Sequence, residues 1–90
     1  MSNLEIRVFV LKNCPKCPEA KRIARRVAEK LGVKCVEIDL GTPEGEIEGL
    51  MYHVVSTPSI AVGSEVIVRG DIIPEEELER EVKKRFGAKN

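Results

Sequence analysis

Between residues 5 and 40 the apolar pattern changes period twice, and that change constrains the fold more than any other feature of the chain. Glu5–Leu11 (EIRVFVL) is dense in β-branched and apolar residues, the composition of a buried strand. From Pro15 onward Ala20, Ile23, Ala24, Val27, Ala28 and Leu31 recur at helical spacing, with Lys21, Arg22, Arg25, Arg26 and Lys30 on the opposite side. Gly32 suits the residue just past a helix C-terminus. Val33–Leu40 (VKCVEIDL) then returns to strand character. Two strands joined by a long helix must run parallel, with a right-handed crossover expected between them.

The remaining residues complete the pattern. Thr42 is placed to cap a helix that opens with Pro43 at its first position, and Ile47, Leu50 and Met51 form its apolar face, ending near His53. Ser59–Val62 and Glu65–Arg69 are short strands around Gly63-Ser64, a hairpin turn, and therefore antiparallel. Pro74–Phe86 reads as a closing helix. Leu78, Val82 and Phe86 are spaced by four, and Glu75, Glu76 and Glu77 lie where the helix dipole favours negative charge. The expected order is β-α-β-α-β-β-α. This is an α/β fold with a four-stranded mixed sheet between helices, and residues 1–90 are expected to form one domain.

Composition narrows the function classes. Charged residues make up 33% of the chain but cancel to zero net charge, and aromatics are only 3%, so neither nucleic acid nor a membrane surface is an expected partner. Met1–Lys12 lacks the apolar core of a signal peptide and the length of a membrane span, which leads to a cytoplasmic expectation. Gln is absent while Glu, Lys and Arg are plentiful, a composition that fits a heat-tolerant source. A small charged domain of this kind is expected to be a monomer.

Chemistry concentrates in Cys14-Pro15-Lys16-Cys17, at the junction of the first strand and helix. In a reducing compartment, Cys-x-x-Cys serves catalysis or metal binding rather than acting as a structural staple. Pro15 at the first helical position would make Cys14 the N-cap and Cys17 the third residue of the helix. Unpaired amides and the helix dipole would then stabilise a Cys14 thiolate by roughly 0.3–2 kcal/mol. That lowers its pKa by about one unit from about 8.5. Cys17, one turn inward, is less exposed. Cys14 is thus the expected nucleophile and Cys17 the resolving thiol, with Pro15 stiffening the ring and Lys16 adding nearby positive charge.

The alternative is metal. Zinc takes four ligands, and the chain offers Cys14, Cys17, Cys35 and His53. Cys35 lies mid-strand and is expected in the core; His53 stands alone as a capping or surface residue, so no second ligand pair exists. Small copper chaperones place Cys-x-x-C between strand and helix, but in β-α-β-β-α-β order and with a preceding Met absent here. No metal and no cofactor beyond the redox pair is expected. A zinc- or copper-binding module and a redox-inactive interaction domain remain the alternatives.

Cys14-Pro15-Lys16-Cys17 after the first strand, Ser56-Thr57-Pro58 opening the third and Gly70 after the fourth resemble the thioredoxin/glutaredoxin superfamily, most closely its small archaeal glutaredoxin-like members. The resemblance spans nearly the whole chain and implies a thioredoxin-like fold. It also implies a cis peptide at Pro58 facing the disulfide, and a Thr57 backbone that pairs with the substrate chain as a short strand would. Met51, Tyr52 and Val54 are expected to serve the core. The candidate substrate-binding residues are therefore Pro15, Lys16, Thr57 and Pro58. The implied activity is protein-disulfide reduction, recharged by a thioredoxin-reductase-like flavoprotein or a low-molecular-weight thiol. Lys12 is placed to steer an acidic substrate or such a thiol. Asn13 replaces the tryptophan of typical thioredoxins, Val8 and Val10 leave no buried acid on the preceding strand, and Lys16 stands where glutaredoxins carry an aromatic residue.

Overall fold

The computed structural model describes residues 5–86; the first four residues of the N-terminal stretch considered above lie outside them. The elements are β1 (Glu5–Val10), α1 (Cys17–Leu31), β2 (Lys34–Asp39), α2 (Pro43–Met51), β3 (Ser59–Val62), β4 (Glu65–Arg69) and α3 (Glu75–Phe86). The order matches the expected one. The sheet runs β2-β1-β3-β4, with β1 and β2 parallel and the other pairs antiparallel.

Alternation along β1 divides the interior. Ile6 and Val8 join the apolar stripe of α1, Ile60 and Val62 of β3, and Leu78 and Val82 of α3 in the main core. Phe9 faces the other way and packs with Ile38, Val54 and Ala61, backed by Tyr52. Arg7 shares that second face; its Nε donates to Glu48 Oε2 of α2 at 2.9 Å and its guanidinium lies 5.4 Å from the Tyr52 ring centre. The basic side of α1 is largely spent within the molecule. Arg26 pairs with Glu75 (3.1 Å), Lys30 with Glu79 (3.1 Å) and Arg25 with Glu37.

Capping follows the sequence at two ends. Gly32 takes φ 70° at the end of α1, a left-handed conformation that glycine adopts without steric cost. Thr42 Oγ1 accepts from Gly45 N at 3.0 Å at the start of α2. His53, at φ 57° just beyond α2, is exposed and turns the chain, as a capping residue would.

Two expectations need correction. The first concerns α1, which begins at Cys17 with Lys16 as N-cap, not at Pro15 with Cys14 as N-cap. Pro18 decides this register. With Cys14 as N-cap, residue 18 would have to donate its N–H to the Cys14 carbonyl, and proline has none. Starting at Cys17 places Pro18 in the first turn, where no donor is needed, and the first helical bond runs from Ala20 N to Lys16 O at 3.1 Å. The second concerns α2. Ile47 (61%), Leu50 (69%) and Met51 (71%) are exposed, and the helix instead buries Gly45 and Gly49. Its approach is so close that a Cβ on Gly45 would stand 1.8 Å from the Asp39 carbonyl oxygen, and one on Gly49 2.7 Å from Leu40 Cδ2. Only a glycine face fits there.

Candidate active site

β1 is an interior strand, and past its C-terminal end Leu11–Asn13 lead to a turn, closed by Cys17 N to Cys14 O (3.3 Å), that opens α1. Cys14 and Cys17 are paired as a disulfide with Cα atoms 5.3 Å apart, a separation such a bond accommodates. The two sulfurs differ in access. Cys14 is half-buried in the turn ahead of the helix, whereas Cys17, at its first position, is 2% exposed. The revised register thus leaves the helix N-terminus directly under Cys17, with Cys14 two residues before the N-cap.

Opposite lies the segment before β3. The Thr57–Pro58 peptide bond is cis, Pro58 is buried and Thr57 is half-buried. A second loop holds it in place. Gly70 N and Asp71 N both donate to the Pro58 carbonyl, at 2.8 and 3.0 Å, and Ser59 Oγ donates to Ser56 O at 2.7 Å. Gly70 sits at φ 76° with its Cβ position only 3.0 Å from Ser56 Oγ, so the conformation and the close approach both call for glycine.

The sequence-derived residues meet here in part. Cys14 and Thr57 line one cavity of ≈ 190 Å³ together with Leu11, Lys12 and Asn13. Pro15 is exposed in the turn, and Lys16 reaches across to Asp71, Nζ to Oδ1 3.1 Å. Asp71 was not anticipated; its only sequence signal is its place next to Gly70. The Ile72 backbone N–H, and after it Lys16, hold the Asp71 carboxyl below the usual carboxylate range. Cys35 is half-buried on β2 against the main core, away from the disulfide, and burial pushes its thiol up. Val54 is in the core and Tyr52 beside it, but Met51 is not. Among the described residues no three His, Cys, Asp or Glu side chains gather as a metal site. No helix among them is long and apolar enough to cross a membrane.

A family model described as "Thioredoxin domain" matches residues 4–83. The chain belongs to the thioredoxin family. A relative described as "Thioredoxin" from Methanocaldococcus jannaschii is 30% identical over 87 residues, covering 96% of this chain and all of that one. A "Probable Thioredoxin" from Archaeoglobus fulgidus is 28% identical over 83 residues, covering 91% of this chain and 89% of that protein. Among solved structures, a thioredoxin-like protein from Clostridium perfringens superposes with a TM-score of 0.77 at 15% identity, over 100% of this chain and 76% of that one. Thioredoxin-2 of a malaria parasite gives 0.74 at 17% identity, over 92% and 84%. At such identities the two structures speak for the fold alone. Thioredoxin-family membership together with the Cys14–Cys17 pair identifies the activity class, thiol–disulfide exchange.

Proposed function

We propose that the chain reduces protein disulfides by dithiol exchange, with Cys14 as nucleophile and Cys17 as resolving thiol. The observation that carries this reading is the unequal access of the two sulfurs, half-buried Cys14 over 2% exposed Cys17, at the head of α1. A Cys14 thiolate attacks one sulfur of the substrate disulfide, forming a mixed disulfide and expelling the first substrate thiolate, which takes a proton. The Cys17 thiolate then attacks Cys14 Sγ, closing the protein disulfide and expelling the second. Only the sulfur within reach of the substrate can begin this sequence, and only a neighbour already in place can end it quickly.

Thr57 supports the substrate side of the reading, since it lines the same cavity as Cys14. A substrate chain lying along it would add a short strand and bring its cysteine to Cys14. Pro58 shapes that platform, and Pro15 and Lys16 border it. A flavoprotein reductase or a low-mass thiol would return the pair to its reduced form, in a reducing compartment such as the cytoplasm. Insulin reduction tests the assignment: Cys14→Ser should be inactive, and Cys17→Ser should accumulate a mixed disulfide with the substrate. A Cys14→Ser variant as active as the parent protein would overturn it.

A further inference from the structure

Two unlike cavities adjoin the disulfide, sharing Leu11, Lys12 and Cys14. The one shared with Thr57 carries a single charged side chain, Lys12. The other, ≈ 290 Å³, opens on the α1 side and touches both Cys14 and Cys17; its charged walls are Lys12, Lys21 and Asp39. Asp39 Oδ1 is already engaged, accepting from Gly41 N at 2.8 Å. Lys21 has only a 4.0 Å approach to Glu37, whose other carboxylate oxygen is held by Arg25, and among the described residues Lys12 makes no ion pair. Two lysines against the one Asp39 carboxylate therefore give the lining of this cavity, beside the reactive sulfurs, a net positive charge. The chain as a whole has zero net charge, so this positive field is local.

We infer that this α1-side cavity binds a small anionic thiol, one with a carboxylate, sulfonate or phosphate a few bonds from its sulfur, as electron donor to the disulfide. The inference rests on the exchange reading above and names the donor that reading leaves open. At about 30 Å³ per small group the cavity holds on the order of ten heavy atoms, room for a compact thiol. The protein substrate keeps the Thr57 side, so donor and substrate approach Cys14 from different directions.

The chemistry balances without a further reactant. A donor thiolate attacks Cys14 Sγ, the Cys14–Cys17 bond breaks, and Cys17 leaves as a thiolate that takes a proton from water. A second donor thiolate attacks the donor sulfur of the mixed disulfide, forming the small symmetrical disulfide and releasing the Cys14 thiolate, which takes the second proton. Two thiolates and two protons enter; one reduced protein and one small disulfide leave.

The test is reduction of the oxidised protein by 2-mercaptoethanesulfonate, 2-mercaptoethanol and cysteamine, compared at equal thiolate concentration and low salt. The sulfonate should react about tenfold faster than the neutral thiol, within the range that local charge gives to association rates, and cysteamine slowest. The sulfonate rate should saturate with concentration, and the advantage should shrink in high salt. Lys12→Gln and Lys21→Gln should each cut the preference several-fold, slowing the neutral thiol less because its thiolate carries one negative charge fewer. Arg22→Gln removes the same charge from the neighbouring position outside the cavity and should keep it. Equal rates for the three thiols, or a preference that survives loss of both lysines, would overturn the inference alone. Failure of dithiothreitol to reduce the pair would instead sink the exchange reading, and the inference with it.

Discussion

Substituting Gly45 by Ala tests the packing of α2 with a result of opposite sign to the local expectation. In an ordinary helix the change stabilises by up to about 1 kcal/mol, because alanine loses less backbone freedom on folding. Here the new methyl would stand 1.8 Å from the Asp39 carbonyl oxygen and 2.6 Å from its carbon, both backbone atoms that no side-chain rotation can clear. It would also meet Thr42 Oγ1 at 3.0 Å. The helix must lift, and the cap goes with it: Thr42 N and Thr42 Oγ1 both donate to Asp39 O, at 3.1 and 3.0 Å. Overpacking of this kind costs about 1–3 kcal/mol and a lost N-cap about 1 kcal/mol. Against the propensity gain the net is a loss of about 2 kcal/mol. For a domain of this size that lowers Tm by about 8–16 °C. Thermal unfolding followed by circular dichroism reads it directly, with Glu46→Ala on the exposed side of the same helix as the comparison. A Gly45→Ala protein as stable as the parent, or more so, would refute the close approach of α2 to β2.

Two further outcomes are expected. Leu50→Ser combined with Met51→Ser should leave the urea midpoint nearly unchanged, because both side chains already lie mostly in water; a loss of the size seen for core truncations, about 2–5 kcal/mol, would mean the helix packs through its apolar face after all. Asp71 is held below the usual carboxylate range first by the Ile72 N–H and then by Lys16, so its folded pKa is depressed. Its contribution to stability is therefore present above the unfolded pKa of about 3.9 and is lost as pH falls through the folded value. The stability difference between the parent protein and Asp71→Asn, measured by urea unfolding, should be constant near neutrality and vanish in strong acid. A difference that persists unchanged in strong acid would remove the ionised carboxylate from the account.

The element order is written in the residue pattern, because the periods of 2 and 3.6 are local and each segment shows its own. The sequence also marked the Cys14–Cys17 pair, the Thr42 cap and the Gly32 terminus, all features carried by neighbouring residues. The start of α1 was legible too, but in Pro18 rather than Pro15: a proline four residues past a supposed N-cap cannot donate the bond that register requires. Contacts between distant segments are not local and emerge only when the elements pack. The apolar residues of α2 gave a plausible inward face, yet the distance between helix and sheet is set by the partner surface, and at the Asp39 carbonyl only Gly45 leaves room. The sheet order β2-β1-β3-β4 brings the β4–α3 loop beside the Cys-x-x-Cys turn, pairing Lys16 with Asp71 across 55 positions. The same assembly places Lys21 of α1 and Asp39 of β2 in one cavity beside the disulfide and Thr57 in another. No local pattern encodes that division, because it depends on which strand ends converge above the sheet.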